Sequence, residues 1–198
     1  MAFARRAFVA TMVVATASAA PLAPDQIADR RARIRENFFI DPLPALEAEV
    51  HRGFVVAPGV RAEAVSYATT LGSRVPAILY LPDPLPAGGK VPGFIVVNGH
   101  GGDKYSWYAY VTGVAFARAG AAVLTYDPAG EGERSASRQS GTRDHDKLKD
   151  DELLARRLAG LMITDVMQGV SLLAARPEVD AARIAAGGYS MGSFVLAL

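Results

Sequence analysis

Hydrophobic and polar positions follow two different rhythms along this chain. From Asp25 to Phe38 charged residues dominate, and Ile27, Ile34 and Phe38 recur near helical spacing, which predicts a helix. Pro21 to Pro24 reads as a short extended linker before it, and Asp41-Pro42-Leu43-Pro44 stops it. Phe54–Val56, Ala62–Thr69 and Val75–Leu81 carry the β-branched and aromatic content of strands, the last two joined as a hairpin by Gly72-Ser73. Pro82 to Gly89 is a loop rich in turn residues.

Beyond this loop the rhythm changes to strand and helix in alternation. Gly93 to Asn98 is a buried strand, and a helix is expected from about Ser106 to Arg118. Ala121 to Tyr126 is the next strand, followed by a polar excursion from Asp127 to Asp150. A long helix runs from about Asp151 to Ala175, Arg183 to Gly187 forms a third strand, and Met191 to Leu198 opens a further helix. Such alternation predicts an α/β fold with a parallel sheet covered by helices on both faces. In the long helix one residue breaks the pattern. Asp165 falls with Leu158, Met162, Gly169 and Leu172 at the centre of the apolar stripe, and a charge buried there needs a partner, Arg183 or free backbone N–H groups.

Composition narrows the classes. The chain has 198 residues, of which 51% are hydrophobic and 21% charged, enough apolar material for one globular domain. The absence of cysteine excludes disulfides, thiolate metal sites and a cysteine nucleophile. Arg5-Arg6, the apolar run Ala7 to Ala17 and the small residues Ala17-Ser18-Ala19 read as a secretory signal cut after Ala19. The run is too short for a membrane anchor, since spanning needs about 20 apolar residues. The expected organisation is therefore a signal peptide over 1–19, an N-terminal helical extension over 20–52, and an incomplete α/β domain over 53–198. The protein is expected to be secreted or periplasmic, with no membrane association in its mature form. The formal charge is +1, and losing Arg5 and Arg6 takes it to about −1, so no basic footprint for nucleic acid exists.

The chemistry concentrates in Gly188-Tyr189-Ser190-Met191-Gly192, which follows an apolar strand and opens an apolar helix. A serine hydroxyl is a poor nucleophile and needs both a base and donors for the oxyanion that develops on the attacked carbonyl. On a sharp strand-to-helix turn the serine is presented, the flanking Gly188 and Gly192 let neighbouring backbone pass without a Cβ clash, and the Met191 amide points at the oxyanion. The bare pattern is weak, with roughly 0.1 copies expected by chance at this composition; its strand–turn–helix context makes the case. Asn98-Gly99-His100-Gly101-Gly102-Asp103 follows a buried strand, and its backbone N–H groups are candidates for the second half of an oxyanion hole. His100 is read as shaping this loop by hydrogen bonding, because in the fold that carries such a turn the base follows the nucleophile. Tyr105 and Trp107, with Tyr108 and Tyr110, either wall a pocket with His100 or pack the first helix on the sheet. Gly130 to Arg134, after a strand's C-terminal end, reads as a tight turn held by ion pairs of Glu133 and Arg134, with a substrate role as the alternative, and Arg138 to Asp150, including His145, as a solvated loop or the rim of a pocket.

Residues 74–198 resemble the first half of an α/β-hydrolase, most closely the branch of acetyl xylan esterases, dienelactone hydrolases and prolyl-oligopeptidase-like esterases. The stretches that carry the resemblance are Val75 to Pro82, Asn98 to Gly102, Tyr126-Asp127-Pro128-Ala129-Gly130-Glu131-Gly132-Glu133, Arg176 to Asp180 and the Ser190 turn, in the family's order. The resemblance implies a doubly wound, mostly parallel sheet, a Ser-Asp-His triad, ester hydrolysis through an acyl-enzyme on Ser190, a small-molecule ester as substrate, and neither cofactor nor metal. It also implies that the oxyanion amides fall on Met191 and within Gly101–Asp103, with Gly102 the choice. In that family the acid and the histidine follow the serine, yet Met191 to Leu198 contain no Asp, Glu or His. The chain is accordingly expected to be truncated after the nucleophile turn and inactive as it stands. Asp165, which precedes the serine, is read as a structural acid. A prolyl-oligopeptidase-like peptidase and a non-catalytic binding protein of the same fold remain open, as do acyl and alcohol specificity and oligomeric state.

Overall fold

The computed structural model describes residues 21–87, 89–148 and 150–198; the expected signal peptide lies outside them. The elements are α1 (Pro24–Asn37), β1 (Glu49–Ala57), β2 (Val60–Ala68), β3 (Arg74–Pro82), β4 (Val91–Val97), α2 (Trp107–Arg118), β5 (Ala122–Tyr126), α3 (Glu152–Ala175), β6 (Val179–Gly188) and α4 (Met191–Ala197). They build one mixed sheet in the order β1-β2-β3-β5-β4-β6. The first three strands and β5 pair antiparallel, whereas β4 pairs parallel with both β5 and β6. Crossing from β4 to β5 through α2, and on to β6 through α3, puts helices on both faces, as the strand–helix alternation requires.

Each strand's two-residue period divides the core. Val65, Val75, Leu79, Leu81, Ile95 and Leu124 face α3, where they meet Val166, Leu172 and Leu173. Val60, Ala62, Ile78, Tyr80, Val96 and Val123 face α2, where they meet Ala109 and Ala117. Asp151 caps α3, its carboxylate accepting from the Leu154 N–H at 3.0 Å. Two elements depart from the sequence reading. Strand β1 starts at Glu49 rather than Phe54, because most of it is exposed at the sheet edge and needs no apolar run. It joins β2 through a Pro58-Gly59 turn, Gly59 taking φ 79°. Strand β6 begins at Val179 and lies at the opposite end of the strand order.

Asp165 is fully buried, as its place in the stripe predicts. Its partner is Arg134, not Arg183. The Arg134 guanidinium reaches across from the excursion to the Asp165 carboxylate, and also donates to the Asp127 carbonyl and the Ser73 hydroxyl, both at 3.1 Å. Arg183 instead pairs with Asp180 at 2.6 Å on the surface. Burial pushes the Asp165 carboxyl above the ordinary carboxylate value, with Arg134 pulling the other way.

Candidate active site

The C-terminal ends of β4, β5 and β6 converge on one edge of the sheet, where ligands of α/β sheets bind. Strand β6 ends at Gly188, α4 starts at Met191, and Ser190 between them takes φ 50° and ψ −115°. A non-glycine residue at such dihedrals stores about 1–3 kcal/mol and needs a surrounding structure that enforces it. The enforcement is visible. The Tyr189 N–H donates to the Val97 carbonyl at 3.1 Å, and the Gly192 N–H to the Tyr189 carbonyl at 2.9 Å. The Ser193 hydroxyl donates to the Gly188 carbonyl at 2.8 Å. Ser190 itself is exposed. Met191, as the first residue of α4, has an N–H with no acceptor one turn back.

Both glycines of the Ser190 turn are sterically required. A Cβ on Gly188 would lie 2.5 Å from the Gly192 carbonyl, and one on Gly192 only 2.1 Å from the Val97 carbonyl oxygen. Gly192→Ala therefore has to push α4 away from β4. The expected result is a loss of about 1–3 kcal/mol of stability, read as a lower thermal midpoint; an unchanged midpoint would show that the turn is slack.

The loop after β4 abuts this turn. A Cβ on Gly99 would sit 2.8 Å from the Tyr189 carbonyl oxygen and 3.3 Å from the Ser190 Cβ. Buried Asn98 anchors the loop by donating to the Tyr126 carbonyl at 2.6 Å. The loop amides are largely engaged. Gly99 donates to the Tyr108 hydroxyl at 3.0 Å, Gly101 to Glu131 Oε1 at 2.6 Å, Gly102 to the Gly99 carbonyl at 2.8 Å and Asp103 to the Ser106 hydroxyl at 2.9 Å. The Gly102 N–H thus closes a turn in this structure, and the His100 N–H is the loop amide without a partner among the described residues.

The excursion after β5 is a solvated loop only in part. Its first residues plunge back into the protein. Asp127 is fully buried and accepts from the Lys104 N–H at 3.0 Å, from Lys104 Nζ at 2.5 Å and from the Glu133 N–H at 2.9 Å. Lys104 also pairs with Glu133 at 2.7 Å. Glu131 is fully buried, and burial pushes its carboxyl up to about 8 although the Gly101 N–H bond opposes this. It therefore stands beside the loop as a neutral acid at pH 7. Asp127 and Glu131 enter the sequence reading only within longer stretches, among them the one that carries the resemblance, and Lys104 not at all, since nothing in the sequence distinguishes the charges that become buried from the solvated ones.

The remaining sequence candidates separate. His100 is exposed and bonds Asp146 at 2.8 Å. Tyr105 lines a cavity of about 600 Å³ together with Phe54, Tyr80, Lys104, Tyr110 and Glu133, and Ser190 is not among the lining residues. Trp107 is exposed and meets Tyr108 edge-on at 5.9 Å. Tyr108 is the aromatic residue that touches the site: its ring stacks on Tyr189 at 4.7 Å while its hydroxyl holds the Gly99 amide.

No protein-family model matches the sequence, and no curated protein sequence matches it. Solved structures do. A candidate acetyl xylan esterase from Bacteroides fragilis superposes with a TM-score of 0.72 at 18% identity, over 87% of this chain and 48% of its own. The acetyl xylan esterase from Paenibacillus sp. R4 gives 0.58 at 20% identity, over 83% and 51%. Acetyl xylan esterase 1 from Thermoanaerobacterium sp. JW/SL YS485 gives 0.55 at 18% identity, over 87% and 53%. The chain thus has the mixed α/β fold of the α/β-hydrolases and spans about half the length of these structures.

Proposed function

We propose that this fold serves a serine hydrolase, a carboxylesterase acting on small acyl or carbohydrate esters. The observation that carries the reading is the strained Ser190 backbone, φ 50° and ψ −115°, held by glycines on both sides at the end of β6. Strain of this kind persists where it presents a side chain for chemistry. In this mechanism the Ser190 hydroxyl attacks the ester carbonyl, the alcohol leaves, and water releases the acyl group from Ser190. The Met191 amide receives the oxyanion. Gly102 supplies a second donor on exchanging its bond to the Gly99 carbonyl for one to the oxyanion. Chain order in the fold assigns the acid and base to positions after Ser190, and residues 191–198 supply neither. The names of the similar structures support an ester as substrate. The reading includes export to the periplasm or medium, directed by residues 1–19.

The test is covalent labelling of the whole protein as its gene encodes it. A fluorophosphonate ester is expected to add once, and peptide mass spectrometry is expected to place the adduct on Ser190. Labelling at another residue, or none under conditions where the protein hydrolyses aryl acetates, would overturn the assignment.

A further inference from the structure

The excursion and the loop after β4 meet at a second cluster whose chemistry ester hydrolysis does not use. His100, in the loop, and His145 and Asp146, in the 3₁₀ turn Asp144–Leu148, bring one donor atom each to within 4.8 Å of one another. His100 Nε2 lies 2.8 Å from Asp146 Oδ1, and His145 Nε2 lies 3.8 Å from the same oxygen. We propose that His100, His145 and Asp146 form a binding site for a divalent transition-metal ion of the zinc class, which ties the excursion to the loop beside Ser190.

A hydrogen bond between His100 and Asp146 accounts for two of the three residues; His145 needs another explanation. Its side chain is 9% exposed, yet neither ring nitrogen makes a hydrogen bond. A buried ring nitrogen without a partner costs about 1–3 kcal/mol, a cost that a bound ion would remove. The ring is also aimed. Its Nδ1 would lie 3.3 Å from a Cβ on Gly130, with the Ala129 backbone beside the ring. Its Nε2 edge faces Asp146 and, at 3.7 Å, Glu131 Oε1. Proteins orient a metal-binding imidazole through a backbone or carboxylate partner on its other nitrogen, and the Ala129–Gly130 backbone stands beside that nitrogen here.

The spacing fits a small ion. Tetrahedral zinc with bonds of 2.0–2.2 Å separates its ligand atoms by about 3.4 Å, between the two distances to Asp146 Oδ1, and the donor atoms, within 4.8 Å of one another, have to draw together where they stand wider than this. Two imidazoles and one carboxylate suit zinc, nickel or cobalt, and disfavour calcium and magnesium, which take oxygen ligands. Charge is manageable as well. Asp146 offsets the Arg143 side chain, whose Nε would lie 2.6 Å from a Cβ on Gly101. The effect of the ion is mechanical: it clips residues 145–146 to the loop whose Gly99 backs onto Ser190.

The experiment uses the protein as its gene encodes it, purified without a histidine tag, and titrates it with zinc after chelation and dialysis. One zinc is expected to remain bound per chain, with a thermal midpoint that rises with zinc and falls back with EDTA. His100→Gln and Asp146→Asn change exposed side chains, so they are expected to fold normally and to bind zinc more than about tenfold more weakly. His51→Gln, at a histidine bonded to Ser66 elsewhere, is expected to bind like the parent. Absence of bound zinc at micromolar free metal would overturn the proposal. Undiminished affinity in both His100→Gln and Asp146→Asn would do the same. Because the readout is metal content and stability, either failure leaves the assignment of Ser190 untouched.

Discussion

Replacing Ser190 with alanine is expected to lower ester hydrolysis by about 10⁴–10⁶-fold, the range seen when a serine hydrolase loses its nucleophile, while the thermal midpoint stays where it is. The two halves of this expectation rest on different physics. In the proposed mechanism the hydroxyl is the attacking group, so nothing else in the turn can form the acyl-enzyme. What remains is the background from substrate binding and oxyanion donors. The backbone, in contrast, is as strained with alanine as with serine, since both carry a Cβ at φ 50°. Ser190→Gly separates the two effects further. It removes the same hydroxyl, and it relieves about 1–3 kcal/mol of strain against about 0.5–1 kcal/mol of added chain entropy. Its midpoint is expected to lie above that of Ser190→Ala. A Ser190→Ala protein with near-parental turnover would remove the serine from the chemistry. A glycine variant no more stable than the alanine one would mean that the turn stores no strain.

Legibility in the sequence followed burial. Strands β3, β4 and β5 announce themselves as apolar runs because both of their faces are covered, and the Ser190 turn is legible because its two glycines and its strand–helix setting are local. The sequence predicts only three residues of β1, because Glu49, His51 and Arg52 face solvent and carry no periodic signal. The excursion was the hardest stretch. Asp127 and Glu131 are buried and Arg134 is half-buried, while Arg138, Lys147 and Asp150 nearby are exposed, and composition treats them alike. Only the approach of α3 and of the loop after β4 decides which charges lose their water. The same limit explains Asp165. Its burial follows from helical spacing within one element, but its partner comes from 31 residues upstream, through a loop path that no periodicity encodes. Gly102 shows the converse case: the loop was located correctly, whereas the engagement of each amide depends on the turn that Gly99 and Gly102 close.

The second large effect is expected at the buried pair. Asp165→Leu should destabilise the protein by about 3–5 kcal/mol, because it leaves the Arg134 guanidinium, 7% exposed, without its carboxylate in the interior. Arg134→Met should cost a similar amount by stranding Asp165, which is fully buried, and by removing the donor to the Asp127 carbonyl and the Ser73 hydroxyl. The double variant is the informative one. Desolvating two charges offsets most of the attraction between them, so an apolar pair of similar volume is often as stable as the ions it replaces. Combining Arg134→Met with Asp165→Leu is therefore expected to recover most of the loss of either single change. Recovery stops short of complete, since the Asp127 carbonyl and the Ser73 hydroxyl lose their donor in the double variant as well. Chemical denaturation of the four proteins, at constant m-value, gives the coupling energy directly. Additive losses would show that the two side chains do not depend on each other, and that the excursion is held to α3 by other contacts. A strong coupling with partial recovery would identify Arg134 as the residue that pins the start of the excursion, and with it Asp127 and Lys104, beneath the loop that backs onto Ser190.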